Sequence, residues 1–230
     1  TAHIGVGGMG RSDLGSISSH PNVEVVALCD VDSQRLGEAA KRFPKAKTFA
    51  DYRQLFDQLA GQIDAVSVST PDHTHAPAAM QALNRGKHVY CQKPLTHEVF
   101  EARRLREVAE EKKLVTQMGI QVHGSKQYRL ATAIIQDGAI GKVSQVYAWS
   151  HKNWGYDGGP LESSASAPAN LDWDLWLGVA PQRNYAPGLH PSNWRRYIDY
   201  GTGTLGDMGV HIFDTPYRAL ALTAPLWAKT

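Results

Sequence analysis

The 230 residues are 42% hydrophobic, which suits an ordinary globular chain of one large domain or two modest ones. Lys and Arg number 24 against 22 Asp and Glu, and the net charge of +2 gives no basic field of the kind nucleic acid or an anionic membrane selects, so neither is an expected partner. No apolar run approaches the roughly 18 residues a membrane-spanning helix needs.

From Ala2 to Met118, short β-branched apolar runs alternate with amphipathic stretches, the pattern of a parallel sheet covered on both faces. Strands are predicted at Ala2–Val6, Val23–Asp30, near Thr48, and at Ala65–Thr70, His88–Gln92 and Leu114–Met118. Helices are predicted at Ser33–Phe43, His75–Arg85 and His97–Lys113, where Val99, Ala102, Leu105 and Val108 recur at helical steps. Beyond Met118 the pattern changes. A helix at Lys126–Gln136 ends at Asp137-Gly138, an alternating strand covers Val143–Ser150, and about 50 residues rich in Gly, Pro, Ser and Trp carry little periodicity before a helical segment at about Gly206–Leu222. The expected division is residues 1–118 and 119–230.

Gly5-Val6-Gly7-Gly8-Met9-Gly10 reads G-x-G-x-x-G directly after the first strand and at the start of a helix. Gly5 permits the turn, Gly7 lets backbone approach a pyrophosphate, and Gly10 lets helix and strand pack closely. Gly8 and Met9 complete the loop, and free N–H groups at the helix start favour an anion. The second strand ends at Asp30, 20 residues past Gly10, where a carboxylate can accept from ribose hydroxyls. A Rossmann domain is therefore predicted, with NAD preferred over NADP because Asp30 and Asp32 would repel a 2′-phosphate. Thr70, Pro71, His73 and His75 follow the fourth strand at the crevice where such sheets bind ligands; the two histidines serve either as cofactor or substrate contacts or as exposed helix-start residues. Cys29 and Cys91 end strands that two others would separate at ~4.8 Å spacing, beyond disulfide reach.

These motifs, with Gly86-Lys87-His88-Val89-Tyr90-Cys91-Gln92-Lys93-Pro94-Leu95 and Gly203-Thr204-Leu205-Gly206-Asp207-Met208-Gly209-Val210-His211, resemble the glucose-fructose oxidoreductase, inositol dehydrogenase and MocA family of bacterial enzymes. The family carries Glu-Lys-Pro at the end of the fifth strand, with the lysine beside nicotinamide and the reacting hydroxyl; here the tripeptide is Gln92-Lys93-Pro94. Its second signature, Asp-x-x-x-His, matches Asp207 and His211, which share one helix face. The resemblance implies catalytic roles for Lys93, Asp207 and His211, with Asp207 orienting His211 and favouring its protonated form. It also implies a sugar or polyol substrate, a second α+β domain with a largely antiparallel sheet, incomplete here, and assembly into a dimer or tetramer. No metal is expected.

Gln121 and His123 follow the sixth strand and are further substrate-contact candidates. All six Trp residues lie after residue 148 and could meet the apolar faces of a sugar or anchor loops and subunit interfaces. The expected reaction is hydride transfer from a secondary alcohol carbon, with His211 taking the hydroxyl proton. Two alternatives stand beside it: a redox-neutral NAD-dependent glycosidase and a nicotinamide-binding sensor without chemistry. Residue 1 is Thr and the last residues begin an extended segment, so both ends read as cut. The expected location is cytoplasmic or periplasmic, because branch members with Gly119–Gly124 and Leu171–Gly178 phrases like these often carry a twin-arginine export signal.

Overall fold

Six short parallel strands form the centre of the molecule: β1 (Ala2–Ile4), β2 (Ala27–Cys29), β3 (Lys47–Phe49), β4 (Ala65–Val68), β5 (His88–Gln92) and β6 (Thr116–Gly119), in the order β3-β2-β1-β4-β5-β6. The computed structural model describes residues 1–155, 161 and 166–229. The order reverses direction between β1 and β4, so the chain leaves a crevice at their carboxyl ends, the switch point at which doubly wound sheets hold ligands. Ala2, Ile4, Ala27, Val66, Val68 and Val89 are buried in one core with residues from the helices on the sheet faces. Cys29 and Cys91 are both buried and unpaired, with β1 and β4 between their strands.

The helices start where local chemistry satisfies their first N–H groups. Asp32 caps α2 (Ser33–Arg42) by accepting from Gln34 and Arg35, and Asp51 caps α3 (Tyr52–Leu59) by accepting from Arg53. Glu98 and Glu101 form a reciprocal capping box on α5 (Val99–Glu111). By contrast, α1 (Met9–Ser18) starts at Gly8 with no capping side chain and no acid in its first turn. Helix α4 (His75–Asn84) packs against β4, β5 and α5.

Past β6, α6 (Lys126–Gln136) stands as expected, with Ser125 accepting from the Tyr128 N–H. Val143–Ser150 forms no strand, contrary to expectation, since no neighbouring strand among the described residues offers it a ladder. The single helix expected at about Gly206–Leu222 is two, α8 (Gly203–Ile212) and α9 (Asp214–Ala219). Pro216 lacks the N–H that would continue the ladder and crowds the carbonyl four residues back, so the chain breaks at Phe213.

The aperiodic stretch contains a core of its own. Residues 156–160 and 162–165 lie outside the described part, but α7 (Trp173–Leu177) sits within the rest, and Leu171, Trp176, Leu177, Ala186, Leu189, Trp194 and Tyr200 are buried together. This segment is tied to the edge of the sheet. Ser33 N–H donates to Asn170 O at 2.8 Å, Asp172 N–H to Val31 O at 2.9 Å, and Asn170 Nδ2 to Asp32 at 2.9 Å.

Candidate active site

A cavity of about 600 Å³ opens at the carboxyl ends of the strands. One wall comes from the sheet loops: Gly5, Gly7, Gly8, Met9, Asp30, Thr70, Pro71 and Lys93; the other comes from the second half: Trp154, Trp176, Trp194, Arg195, Asp207 and His211. Gly5 has φ +81°, and a Cβ there would lie 2.6 Å from the Ser69 carbonyl oxygen, while one on Gly10 would collide with the Gly5 carbonyl. Turn, strand and helix are thus pressed together. The uncapped first turn of α1 faces the cavity with its N–H groups and the positive end of its dipole, which suits a pyrophosphate.

Asp30 does more than the ribose contact expected of it. Its Oδ2 accepts from the Val6 and Gly7 N–H groups at 2.9 and 3.2 Å, and its Oδ1 from Asp32 N–H at 2.9 Å. Burial raises its pKa and these backbone donors oppose the rise. A carboxylate offers about four lone-pair sites, so one remains for a hydroxyl in the cavity. Asp32 is held below the usual carboxylate range: burial pushes up, but Asn170, the two α2 N–H groups and the Arg35 charge outweigh it.

At the other end, Lys93 Nζ lies 2.5 Å from Asp207 Oδ1 and 2.9 Å from the Asp207 carbonyl. Arg195 Nε is 3.4 Å from the same Oδ1, and Trp154 Nε1 donates to Oδ2 at 2.7 Å. Against the upward push of burial, these partners hold Asp207 low, with Lys93 foremost. The expected Asp207–His211 contact is therefore corrected. Both carboxylate oxygens are already engaged, Oδ1 by Lys93 across the cleft and Oδ2 by Trp154 on the same wall, and His211 Nδ1 is buried without a hydrogen-bond partner among the described residues. The Asp207 charge does favour the protonated ring as expected, but burial and the Lys93 charge outweigh it and lower the His211 pKa, which favours the neutral ring.

The residues place themselves in a known group. Residues 1–120 match the GFO_IDH_MocA oxidoreductase family, NAD-binding Rossmann fold, and residues 131–221 match its C-terminal alpha/beta domain. The chain belongs to this oxidoreductase family. It is 25% identical over 81% of its length to levoglucosan dehydrogenase of Pseudarthrobacter phenanthrenivorans and 26% identical over 92% to glucose-6-phosphate 3-dehydrogenase of Bacillus subtilis. It covers 40% and 51% of those two proteins. The crystal structure of myo-inositol 2-dehydrogenase from Lactobacillus plantarum superposes with a TM-score of 0.57 at 28% identity, over 62% of this chain and 42% of that one. The chain thus spans about half or less of the length of the curated relatives it resembles.

Within this family frame, several expected residues fall away from the cavity. His73 is buried between Trp176 and Tyr200, its ring nitrogens 3.0 Å from Trp176 O and 3.3 Å from Tyr200 O, so it ties the aromatic segment to the sheet. His75 is fully buried, bridging Pro94 O and Thr70 O at 2.8 Å each, and holds two strand-end loops together. Neither lines the cavity. His123 pairs with Asp214 at 2.6 Å, half exposed and outside it, whereas Gln121 does line it and touches Met9 Sδ at 3.3 Å. The Trp residues divide: Trp154 bonds Asp207, Trp173 stacks on Trp176 at 4.7 Å, and Trp149 and Trp227 are exposed. Arg195 was invisible to sequence reasoning, because nothing in a basic pair after a Trp marks which arginine will reach a carboxylate 12 residues on. Asp72 was equally missed; it is buried, lines the cavity and accepts from Thr202 Oγ1 at 3.0 Å.

Proposed function

We propose that this protein is an NAD-dependent oxidoreductase that oxidises a secondary hydroxyl of a sugar, polyol or glycoside, with residues 1–118 binding the dinucleotide and residues 119–230 facing the substrate. The observation that carries this reading is the meeting of Lys93, Asp207 and His211 in one cavity with the glycine loop, at the switch point of the sheet. Gly5, Gly7, Gly8 and Met9 would hold the pyrophosphate, with Gly10 letting α1 close against the turn; Asp30, past β2, would take the adenosine ribose, and Thr70 and Pro71, past β4, the stretch of the dinucleotide that runs toward Lys93. NAD, when bound, supplies the hydride acceptor.

The rest falls to side chains. Lys93, fixed by Asp207, donates a hydrogen bond to the reacting oxygen and stabilises the negative charge that develops there. His211, neutral and beside it, takes the hydroxyl proton. Arg195 helps keep Asp207 ionised, so the carboxylate remains available to hold Lys93 Nζ in place. Gln121 and Trp154 are placed to meet the substrate.

The test uses full-length protein with NAD and, in turn, levoglucosan, glucose 6-phosphate, myo-inositol and an aryl glycoside. Net formation of NADH from one of the first three is the expected result. Release of the aglycone without net NADH would replace the dehydrogenase with a redox-neutral glycosidase, and no reaction with any of them would leave a binding protein. NADH is expected to bind at least roughly tenfold more tightly than NADPH, about 1.4 kcal/mol, because Asp30 and Asp32 flank the ribose end. Fluorescence titration with both cofactors checks it; equal affinities would remove Asp30 from the role. By analogy with the family, a homodimer or homotetramer is the proposed assembly, and light scattering measures it.

A further inference from the structure

Where the resemblance places an acid at residue 92, this chain has Gln92, yet the position has a carboxylate beside it. Gln92 is buried at the end of β5, and its Nε2 donates to both oxygens of Asp13, at 3.1 and 3.0 Å. Asp13 is itself buried on the inner face of α1. Ser69 Oγ, just past β4, donates to Asp13 Oδ2 at 2.7 Å. The Tyr90 hydroxyl is the titratable neighbour, and burial together with the Asp13 charge pushes it up to about 12. A Cβ on Gly119 would lie 2.8 Å from Gln92 Nε2 and 2.6 Å from the Tyr90 hydroxyl, so β6 is kept bare where these two side chains sit.

This arrangement leaves the amide one orientation. Only its NH2 end can face a carboxylate, so its Oε1 points the other way, where it accepts the Lys93 backbone N–H at 3.2 Å.

We propose that Asp13 is a positioning residue for Lys93, supplying from α1 the negative charge that the family carries at residue 92 and passing its constraint through the Gln92 amide to the Lys93 backbone. The duty of Lys93 in this inference rests on the oxidoreductase reading; the Asp13–Gln92 coupling does not. The two positions form a reciprocal pair that holds one acid and one amide. Two acids there would face each other at about 3 Å, and one would have to take up a proton. Two amides would leave Ser69 and Tyr90 without the charged acceptor they surround.

The experiment is a charge-transposition cycle in the full-length protein: D13N, Q92E and D13N/Q92E. Thermal unfolding, NADH titration and turnover with NAD and levoglucosan, glucose 6-phosphate or myo-inositol are measured for each. Q92E and D13N should each lower Tm by roughly 4 °C or more and lower kcat on the order of 10- to 100-fold, with NADH affinity unchanged. The double variant should recover most of both losses. A double variant no better than the worse single, or singles that leave kcat untouched in an active protein, overturns the proposal. If the wild type oxidises none of the three compounds, it is the dehydrogenase reading that has failed, and the recovery of Tm alone decides the coupling.

Discussion

The two walls of the cavity are built on different physical terms. The sheet wall is made by backbone: short parallel strands, a glycine turn and capped helices whose partners lie close in sequence or one strand away. The opposite wall, from Trp154 to His211, is made by side chains: buried aromatic rings hold the segment, Asp207 pairs across to Lys93, and Asn170 Nδ2 donates across to Asp32. They meet at two histidines two residues apart. His75 joins the sheet's own loops, and His73 joins the aromatic segment. The glycine loop and Lys93 thus stand on one side of the cavity, and Asp207 and His211 on the other.

The largest effect is expected where the second wall supplies chemistry. His211→Ala should lower oxidation turnover on the order of 10² to 10⁴, the usual worth of a positioned base, while NADH affinity stays intact because the glycine loop is untouched. Since burial and Lys93 lower the His211 pKa, its base form persists as pH falls below the ordinary imidazole range of about 6.5. Wild-type kcat should therefore stay level from neutral pH downward through that range and drop only below it. Steady-state rates across pH decide the matter; wild-type turnover in the alanine variant would make the residue structural.

The same contrast explains what the sequence made legible. Strands β1 to β6 and helices α2, α4, α5 and α6 announce themselves through periodicity, caps and glycine stops, all local signals. Helix α3 carries such signals too, in Asp51 followed by buried Leu55, Phe56 and Leu59, but its 8 residues between two short strands are too few for the period to stand out. The aromatic segment has no period to read, because its core joins residues from Leu171 to Tyr200 through turns rather than a repeating face. Within the site, the residue types at 93, 207 and 211 were readable from their motifs, but their pairing was not. Spacing on one helix suggested Asp207 with His211. A lysine 114 residues away in the chain wins the carboxylate, because a full charge at 2.5 Å outweighs a neutral ring. Similarly, His73 and His75 sit in a ligand-facing motif, yet a turn of backbone buries both.

Whether the aromatic segment truly has its own cohesion is the next test. Trp176 is almost fully buried against Trp173, Tyr200 and His73, and its ring N–H has no partner among the described residues, so truncation removes packing alone. Trp176→Ala should cost about 3–5 kcal/mol, a fall in Tm of roughly 10 °C. NADH affinity should fall with it, since the ring also lines the cavity. Calorimetry on the full-length variant measures the cost; a loss under about 1 kcal/mol would mean that the segment is held by its backbone bonds to Val31 and Ser33 rather than by its rings.

The sharpest probe of the junction is pH, because the two histidines are held in opposite charge states. His75 points both nitrogens at carbonyl oxygens 2.8 Å away; burial works against its charge, but the Cys91 sulfur, Asp72 and the Pro94 carbonyl raise its pKa to about 9. His73 lies among aromatic rings with longer bonds, and burial lowers its pKa to about 4, with the neighbouring His75 charge adding to the fall. An unfolded histidine titrates near 6.5. The His75 contribution is therefore complete below that value and is lost as pH rises toward 9, whereas the His73 contribution is complete above it and is lost as pH falls toward 4. Each limb amounts to up to about 3 kcal/mol. Denaturant midpoints measured from acid to alkaline pH should accordingly peak near neutrality. His75→Gln should flatten the alkaline limb and leave the acid one; His73→Gln should do the reverse. If either replacement flattens both limbs, the two histidines titrate as one unit, and the sheet and the aromatic segment are coupled more tightly than two separate walls would be.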